Sequence, residues 1–425
     1  MKKSSQASVF LALMIMGFFA ILSSTMSKSP VLKPFTLYLG TPTDWTGIVA
    51  AASTIPGILI SLPAASLSDV YGRRRVLLAA GAIFASAPFL YLLIVPGNWW
   101  QLIFVRFYHG FATAIFVPVA EASVAELFPS KRGERISLFT SATYVGRVIA
   151  PVLGGYVLLA TTQNFHVYYL AVAVAGVTAF ITALPFVAEH RSTSLKEKAE
   201  RLGTGRRLFQ GWRTVARSKG VAAVSFTQAI QYYVYGAVEF YLAGYLPEIA
   251  HLDELRTGVL ITSIIGIGIF ARPYMGRISD KVGRRLPIVL GCVASGLPLL
   301  AVAFVSNFWI LLALVIVYGF GFATVTASTS PLICELIPSH LVGTSMGFLD
   351  TVMDVGQTLG PIVSGFILAT SLRYQGVFPV LGIVLFIASI IYAFSGATRT
   401  KTIVKTDQNL EGPCRDNELR PDVSS

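Results

Sequence analysis

Residues 276–286 read GRISDKVGRRL, and residues 65–75 read ASLSDVYGRRR. Each carries Ser-Asp and then, two residues on, Gly-Arg-Arg; the offset between them is 211. AELFPS at 125–130 matches CELIPS at 334–339 at an offset of 209. GRVIAPVLGG at 146–155 matches GQTLGPIVSG at 356–365 at 210. Three ordered matches at a nearly constant offset make the chain two copies of one unit.

Apolar runs surround these matches. About 20 apolar residues in a helix cross a bilayer's hydrocarbon. Twelve such runs occur: 8–38, 45–68, 76–96, 99–128, 135–160, 165–188, 220–247, 256–278, 286–305, 308–336, 342–370 and 375–396. They are numbered here as spans one to twelve. The first follows Lys2 and Lys3 like a signal peptide, but no small-residue cleavage site precedes a soluble domain, so a retained helix is expected. Several runs exceed 25 residues, which implies tilt. The expected fold is an all-α integral membrane protein of twelve helices in two six-helix bundles. The first bundle covers 1–188 and the second 220–396. A polar, basic central loop (189–219) joins them, and a polar tail (397–425) follows, expected to be disordered.

The composition agrees. The chain has 425 residues, 54% hydrophobic and 13% charged, with a net charge of +12. A soluble domain is about 25% charged. A disordered chain, a disulfide scaffold and an ordinary soluble enzyme are excluded. The three cysteines (292, 334, 414) form no CxxC pair. With an even number of spans, 26 of the 33 basic residues fall on the side of both termini, and only Arg256 and Arg373 on the other. That asymmetry predicts cytoplasmic termini. It also accounts for the charge without a nucleic-acid partner.

On these residues the chain resembles the major facilitator superfamily. Gly276, Asp280, Lys281, Gly283, Arg284 and Arg285 look like its loop signature, between spans eight and nine where the second copy belongs. The first copy keeps Asp69, Gly72, Arg73 and Arg74, with Ala65 and Val70 departing from the pattern. Arg106-Phe-Tyr-His-Gly110 resembles the span-four signature. Gly146, Pro151, Gly154 and Gly155 resemble the span-five signature of drug:proton antiporters, with Ala150 where Gly is usual. The resemblance covers residues 8–396. It implies substrate binding between the halves and alternating access. It also implies that the signature loops latch the halves together in the outward-facing state. Arg73 and Arg284 then need acids, and Glu126 and Glu335, at the same ends of spans four and ten, are the expected partners. The alternative is that these arginines only set topology. Gly72 and Gly283 permit tight turns. Pro151 and Pro361, with Gly146, Gly155 and Gly356, form a pivot, a leak seal or ordinary helix packing.

Charges inside spans are costly and each asks for a reason. The basic ones are Lys28, Lys33, Arg106, Arg147 and Arg272; the acidic ones are Glu121, Glu239, Asp350 and Asp354. Lys28 is expected to snorkel to the outer face, and Lys33 is placed to do the same. Arg106 is either a hydrogen-bonding post or part of proton coupling. Glu121, in an apolar setting, suits a proton carrier, with a permanent ion pair as the other reading; the resemblance implies that its span and that of Glu239 line the cavity, which puts Glu239 on the same substrate and proton pathway. Asp350 and Asp354 share a helix face. An ion pair with Arg147 or Arg272 is favoured for them over a coupling site or a cation site. Gln228, Gln231 (or Tyr232) and Tyr235 recur at helical spacing as a substrate stripe. Thr326 stands among the small hydroxyls of span ten, which line the path or pack helices.

No phosphate-binding loop occurs, and the five histidines are scattered. No cofactor, metal site or enzyme activity is expected. The function expected is secondary active transport, first of all proton-coupled efflux of a small organic compound. Uptake or facilitated transport of a sugar, organic acid or inorganic cation is the alternative, as is a non-transporting sensor. The partners expected are membrane lipid, a small-molecule or ion substrate and a coupling proton. The chain is expected to be a monomer in the cytoplasmic membrane of a prokaryote.

Overall fold

The computed structural model describes residues 3–184, 218–337 and 342–396. Apart from residues 218 and 219, the central loop and the tail lie outside them, and so does the side chain of Asp69. The described residues form helices and turns, with no strand among them. This is what a chain in lipid requires, because a helix satisfies its backbone groups within itself.

In the first half the helices are Lys3–Met26 with Leu32–Tyr38 (span one), Thr43–Ala51 with Ile55–Tyr71 (span two), Arg73–Leu92, Trp100–Leu127, Arg132–Ala160 and Phe165–Ala183. In the second they are Lys219–Glu248, Glu254–Val282, Arg285–Val302, Phe308–Leu336, Val342–Leu368 and Arg373–Phe394. Among the described residues, eleven helical segments are long and apolar enough to cross a membrane. Span seven, Lys219–Glu248, is the longest helix at 30 residues but is not among the eleven. It carries Gln228, Gln231, Glu239 and five tyrosines. Its polarity is sheltered by protein, since every residue from 234 to 246 is buried. Phe104, Phe270, Trp309 and Phe394 are each at least 65% exposed. Rings so placed face lipid without cost.

The halves meet where small residues let backbones touch. Spans two and eleven pack together, with Gly47 against the backbone of Pro361 and Ile362. Spans five and eight pack likewise, with Gly258 against Pro151 and Gly155 against Glu254. A methyl group at any of these glycines would overlap the opposing main chain. All these contacts lie toward the ends remote from the signature loops. There a single apolar core runs through both halves, joining Leu22, Phe35 and Tyr169 to Tyr241, Tyr245 and Phe378. At the signature-loop end each half has its own core. One is built on Leu13, Phe84, Phe116 and Phe139, the other on Val224, Ile288, Val325 and Ile333. The two bundles are therefore sealed at one end and separately packed at the other.

Candidate functional site

Span one breaks between Met26 and Leu32. Lys28 stands in that break, and its Nζ lies 2.6 Å from Oε2 of Glu239 in span seven. The side chains are 16% and 7% exposed. Snorkelling of Lys28 is thus corrected. The interruption of the helix lets the ammonium reach an acid of the other half, which offsets the desolvation of both charges. Lys33 is also buried, at 2% exposure. Its methylenes lie beside Gly244, its ammonium is 6.0 Å from the Phe240 ring, and Glu248 is close enough for their charges to interact. Both lysines of span one therefore contact span seven across the boundary between the halves.

Next to this seam lies a narrow cleft with room for about 30 Å³, the space of a water or two. Span five contributes Tyr144 and Arg147, span seven Tyr232 and Tyr235, span eight Gly268 and Arg272, and span ten Gly319 and Phe322. Tyr235 stacks on Phe322 (4.9 Å, 20°), and Tyr232 meets the same ring edge-on (5.4 Å). The Arg272 guanidinium lies 5.1 Å from the Tyr144 ring centre. The Tyr144 hydroxyl donates to the Ile265 carbonyl at 3.0 Å. Gly268 keeps the space beside that hydroxyl open, since a Cβ there would come within 2.8 Å of it.

A separate group of acids stands outside this lining. Glu121 (span four) and Asp350 (span eleven) are near enough for their charges to interact. Asp354 lies against Gly57 of span two and within electrostatic reach of Lys28. Among the described residues, neither Asp350 nor Asp354 has a base within 4.0 Å. The favoured pair with Arg147 or Arg272 is corrected accordingly: both arginines stand at the aromatic cleft instead.

The span-seven stripe divides. Tyr232 and Tyr235 line the cleft, whereas Gln228 and Gln231 are buried inside the second half. Gln228 accepts from Thr329 at 2.7 Å, and Gln231 donates to Cys292 Sγ at 3.4 Å. The Thr326 hydroxyl bonds to carbonyls of its own helix. Arg106 is 1% exposed and donates to Ser53 Oγ at 2.6 Å and to the Ser27 carbonyl at 3.5 Å. It ties spans four, two and one together, with no carboxylate partner among the described residues.

At the signature loops, Arg73 donates to Glu126 from Nη2 (2.8 Å) and Nε (3.2 Å), and also to Ser68. In the second copy, Arg284 bonds to Glu335 (2.9 and 3.0 Å), Asp280 (2.5 Å) and Ser279 (3.2 Å). Arg285 donates to the Ala393 carbonyl, and Arg74 is exposed. Gly72 and Gly283 have φ of +93° and +89°, whereas Gly276 is helical. Each of these pairs lies within one half. In the pivot segments, Gly146 touches the Phe18 carbonyl and Gly356 the Ala229 carbonyl. The helices containing Pro151 and Pro361 continue through them.

The sequence pattern of the Major Facilitator Superfamily matches residues 8–273 and 224–411. The chain belongs to that superfamily. It is a multi-pass membrane protein of transporter type. It is 27% identical over 355 residues to the multidrug resistance protein MdtG of Proteus mirabilis, covering 82% of this chain and 85% of that one. It is 25% identical to a multi-drug resistance efflux pump PmrA homolog of Lactococcus lactis (80% and 84% covered). An MFS-type transporter of Methanocaldococcus jannaschii, MJ1560, is 22% identical over 83% of this chain and 91% of its own. In fold, the chain is similar to a crystal structure of a bacterial homolog of the human lysosomal transporter Spinster in an inward-facing, unoccupied conformation. The TM-score is 0.76 at 15% identity, covering 94% of this chain and 98% of that one.

Sequence reading of this superfamily member missed Tyr144, Phe322, Gly268 and Gly319. The run Gly266-Ile-Gly268 was the available signal, a place in span eight where a neighbour comes close.

Proposed function

We propose that the protein exports a small organic compound by alternating access, driven by protons. The observation that carries this reading is the asymmetry of the seam: one continuous core and the Lys28–Glu239 pair at one end, two separate cores at the other. The excess of basic residues supports a cytoplasmic position for the separately packed end; on that reading the seam is closed outward and parted inward. To expose the cleft outward, the halves break Lys28–Glu239 and close at the signature loops, where Arg73–Glu126 and Arg284–Glu335 stand ready to engage the opposite half. Export is supported by the span-five signature and by the names of the relatives. Proton coupling is supported by Glu121, Asp350 and Asp354, three acids of membrane-spanning helices with no base within 4.0 Å among the described residues.

The test is a proteoliposome assay with an imposed pH gradient, a compound panel and internal pH recorded. Substrate-linked proton flux is expected, and it should fall at least about tenfold in Glu121→Gln or Asp350→Asn, as for loss of a proton-transfer group. Transport at full rate without proton flux would leave the transporter and remove the coupling.

A further inference from the structure

Lys28 of the first half faces two acids of the second. One is Glu239, at 2.6 Å. The other is Asp354 of span eleven, whose Oδ2 reaches span two, where a Cβ on Gly57 would come within 2.6 Å of it. One turn along, the Thr358 hydroxyl donates to the Asp354 carbonyl and meets the Thr54 hydroxyl at 2.6 Å. Span two is interrupted there, between Ala51 and Ile55, as span one is between Met26 and Leu32. Arg106 staples the two breaks together, donating to the Ser27 carbonyl and to Ser53 Oγ. Lys28, next to Ser27, and Asp354, beside the second break, are thus brought to one part of the seam, where their charges interact. The charges there do not balance. One ammonium meets two carboxyl groups, and Asp354 has no base within 4.0 Å among the described residues. Tyr235 and Tyr318 also stand near Glu239, and Asp350 near Asp354; none is a base. An unanswered carboxylate inside a membrane protein is costly, and a single proton removes the excess. Both acids belong to the second half and the base to the first. Glu239 lies toward the sealed end of Lys219–Glu248, whereas Asp354 lies near the middle of Val342–Leu368. A rocking of the halves therefore moves the ammonium away from one acid and toward the other.

Resting on the transport reading above, we propose that Lys28 is a positioning residue of the coupling: it exchanges partners between Glu239 and Asp354 as the halves rock, and the acid it leaves holds the proton. With Lys28 on Glu239 the seam is sealed and the proton sits on Asp354. With Lys28 on Asp354 the sealed end is parted and the proton sits on Glu239. One proton enters Glu239 from outside while that end is parted, passes to Asp354 as Lys28 returns, and leaves Asp354 to the inside. The three groups are together neutral whenever that proton is on them.

The experiment needs no substrate. Thr46, buried on span two beside the Gly47 contact, is replaced by cysteine in the full chain with Cys292, Cys334 and Cys414 replaced, and its labelling by an impermeant maleimide is followed in nanodiscs. Rates are taken relative to a cysteine at the exposed Thr162, which removes the reagent's own pH dependence. Raising the pH from about 6 to about 8 strips the proton from Asp354 and draws Lys28 from Glu239; labelling should speed at least threefold, within the roughly tenfold per pH unit of a one-proton equilibrium. Asp354→Asn keeps the Lys28–Glu239 pair, so its melting temperature should hold while labelling stays slow at every pH. Lys28→Glu combined with Glu239→Lys keeps an ion pair across the seam but puts the ammonium on the same half as Asp354, where rocking cannot exchange its partners. That variant should recover thermal stability and lose the pH response. Should Asp354→Asn fail to fold, the swapped pair and the pH response of the background still decide. A background without a pH response, or a full response in Asp354→Asn or in the swapped pair, would overturn the proposal. Compound movement in proteoliposomes with undiminished proton flux in Asp354→Asn would overturn it too and keep the transport reading. The expected labelling pattern with no compound moved would keep the exchange and sink the transport reading.

Discussion

Lys28 and Glu239 form a buried ion pair, 2.6 Å long, between the first half of the protein and the second. Each is the other's counter-ion across the boundary between the halves. Removing one partner of a buried pair costs about 3–5 kcal/mol. Lys28→Ala and Glu239→Gln are therefore expected to lower the melting temperature and to favour separation of the halves at the sealed end. Lys28→Glu combined with Glu239→Lys should recover most of the loss. A double variant no more stable than the worse single one would show that the two do not act as a pair.

The signature-loop pairs behave differently. Glu126 and Glu335 are 50% and 53% exposed, so Arg73–Glu126 and Arg284–Glu335 each contribute under about 1 kcal/mol to stability. Glu126→Gln and Glu335→Gln should leave thermal unfolding nearly unchanged while slowing solute movement in proteoliposomes. Equal losses in both measurements would make these pairs structural and remove the latch.

Gly72 and Gly283 adopt positive φ with no neighbour within 4 Å. Their constraint is the backbone, not space. Gly72→Ala and Gly283→Ala should each cost about 1–3 kcal/mol. Gly276→Ala, in the same signature but in helical conformation with nothing within 4 Å, should be neutral or slightly stabilising. Comparison of the three melting temperatures decides it.

Gly258 meets the backbone of Pro151 and Val152 across the seam. A leucine there has no flexible neighbour to displace and should wedge spans five and eight apart. Gly258→Leu is expected to raise maleimide labelling of a cysteine placed at position 358, in a background with Cys292, Cys334 and Cys414 replaced. Unchanged labelling would mean that the seam opens elsewhere.

The architecture was legible in the sequence because it rests on periodic features. Twenty-residue apolar runs, the 210-residue repeat and charge asymmetry are each carried by many residues, and no single contact decides them. The acids that accompany Arg73 and Arg284 were legible for a similar reason: Glu126 and Glu335 occupy matching places in the two copies. The cavity was less so. The stripe Gln228–Gln231–Tyr235 assumed that helical spacing tells inside from outside, but span seven is enclosed on nearly all sides, so its polar groups divide between the cleft and the packing beside Cys292. Lys28 was misread because the break at 27–31 leaves no hydropathy signal: Ser, Pro and Lys near a membrane face look like an ordinary helix end. Charge alone pairs Asp350 and Asp354 with Arg147 or Arg272, and only three-dimensional placement sets the acids apart from the cleft that holds the arginines.

Alternating access itself is tested most directly by fixing the sealed end. The hydroxyls of Thr54 and Thr358 lie 2.6 Å apart across spans two and eleven. Thr54→Cys and Thr358→Cys, introduced together in the cysteine-free background, should form a disulfide under mild oxidation, since the side-chain oxygens that the sulfurs replace are already in contact. The account predicts that solute movement in proteoliposomes stops when the bond forms and returns on reduction. Full-rate transport by a quantitatively cross-linked protein would contradict it.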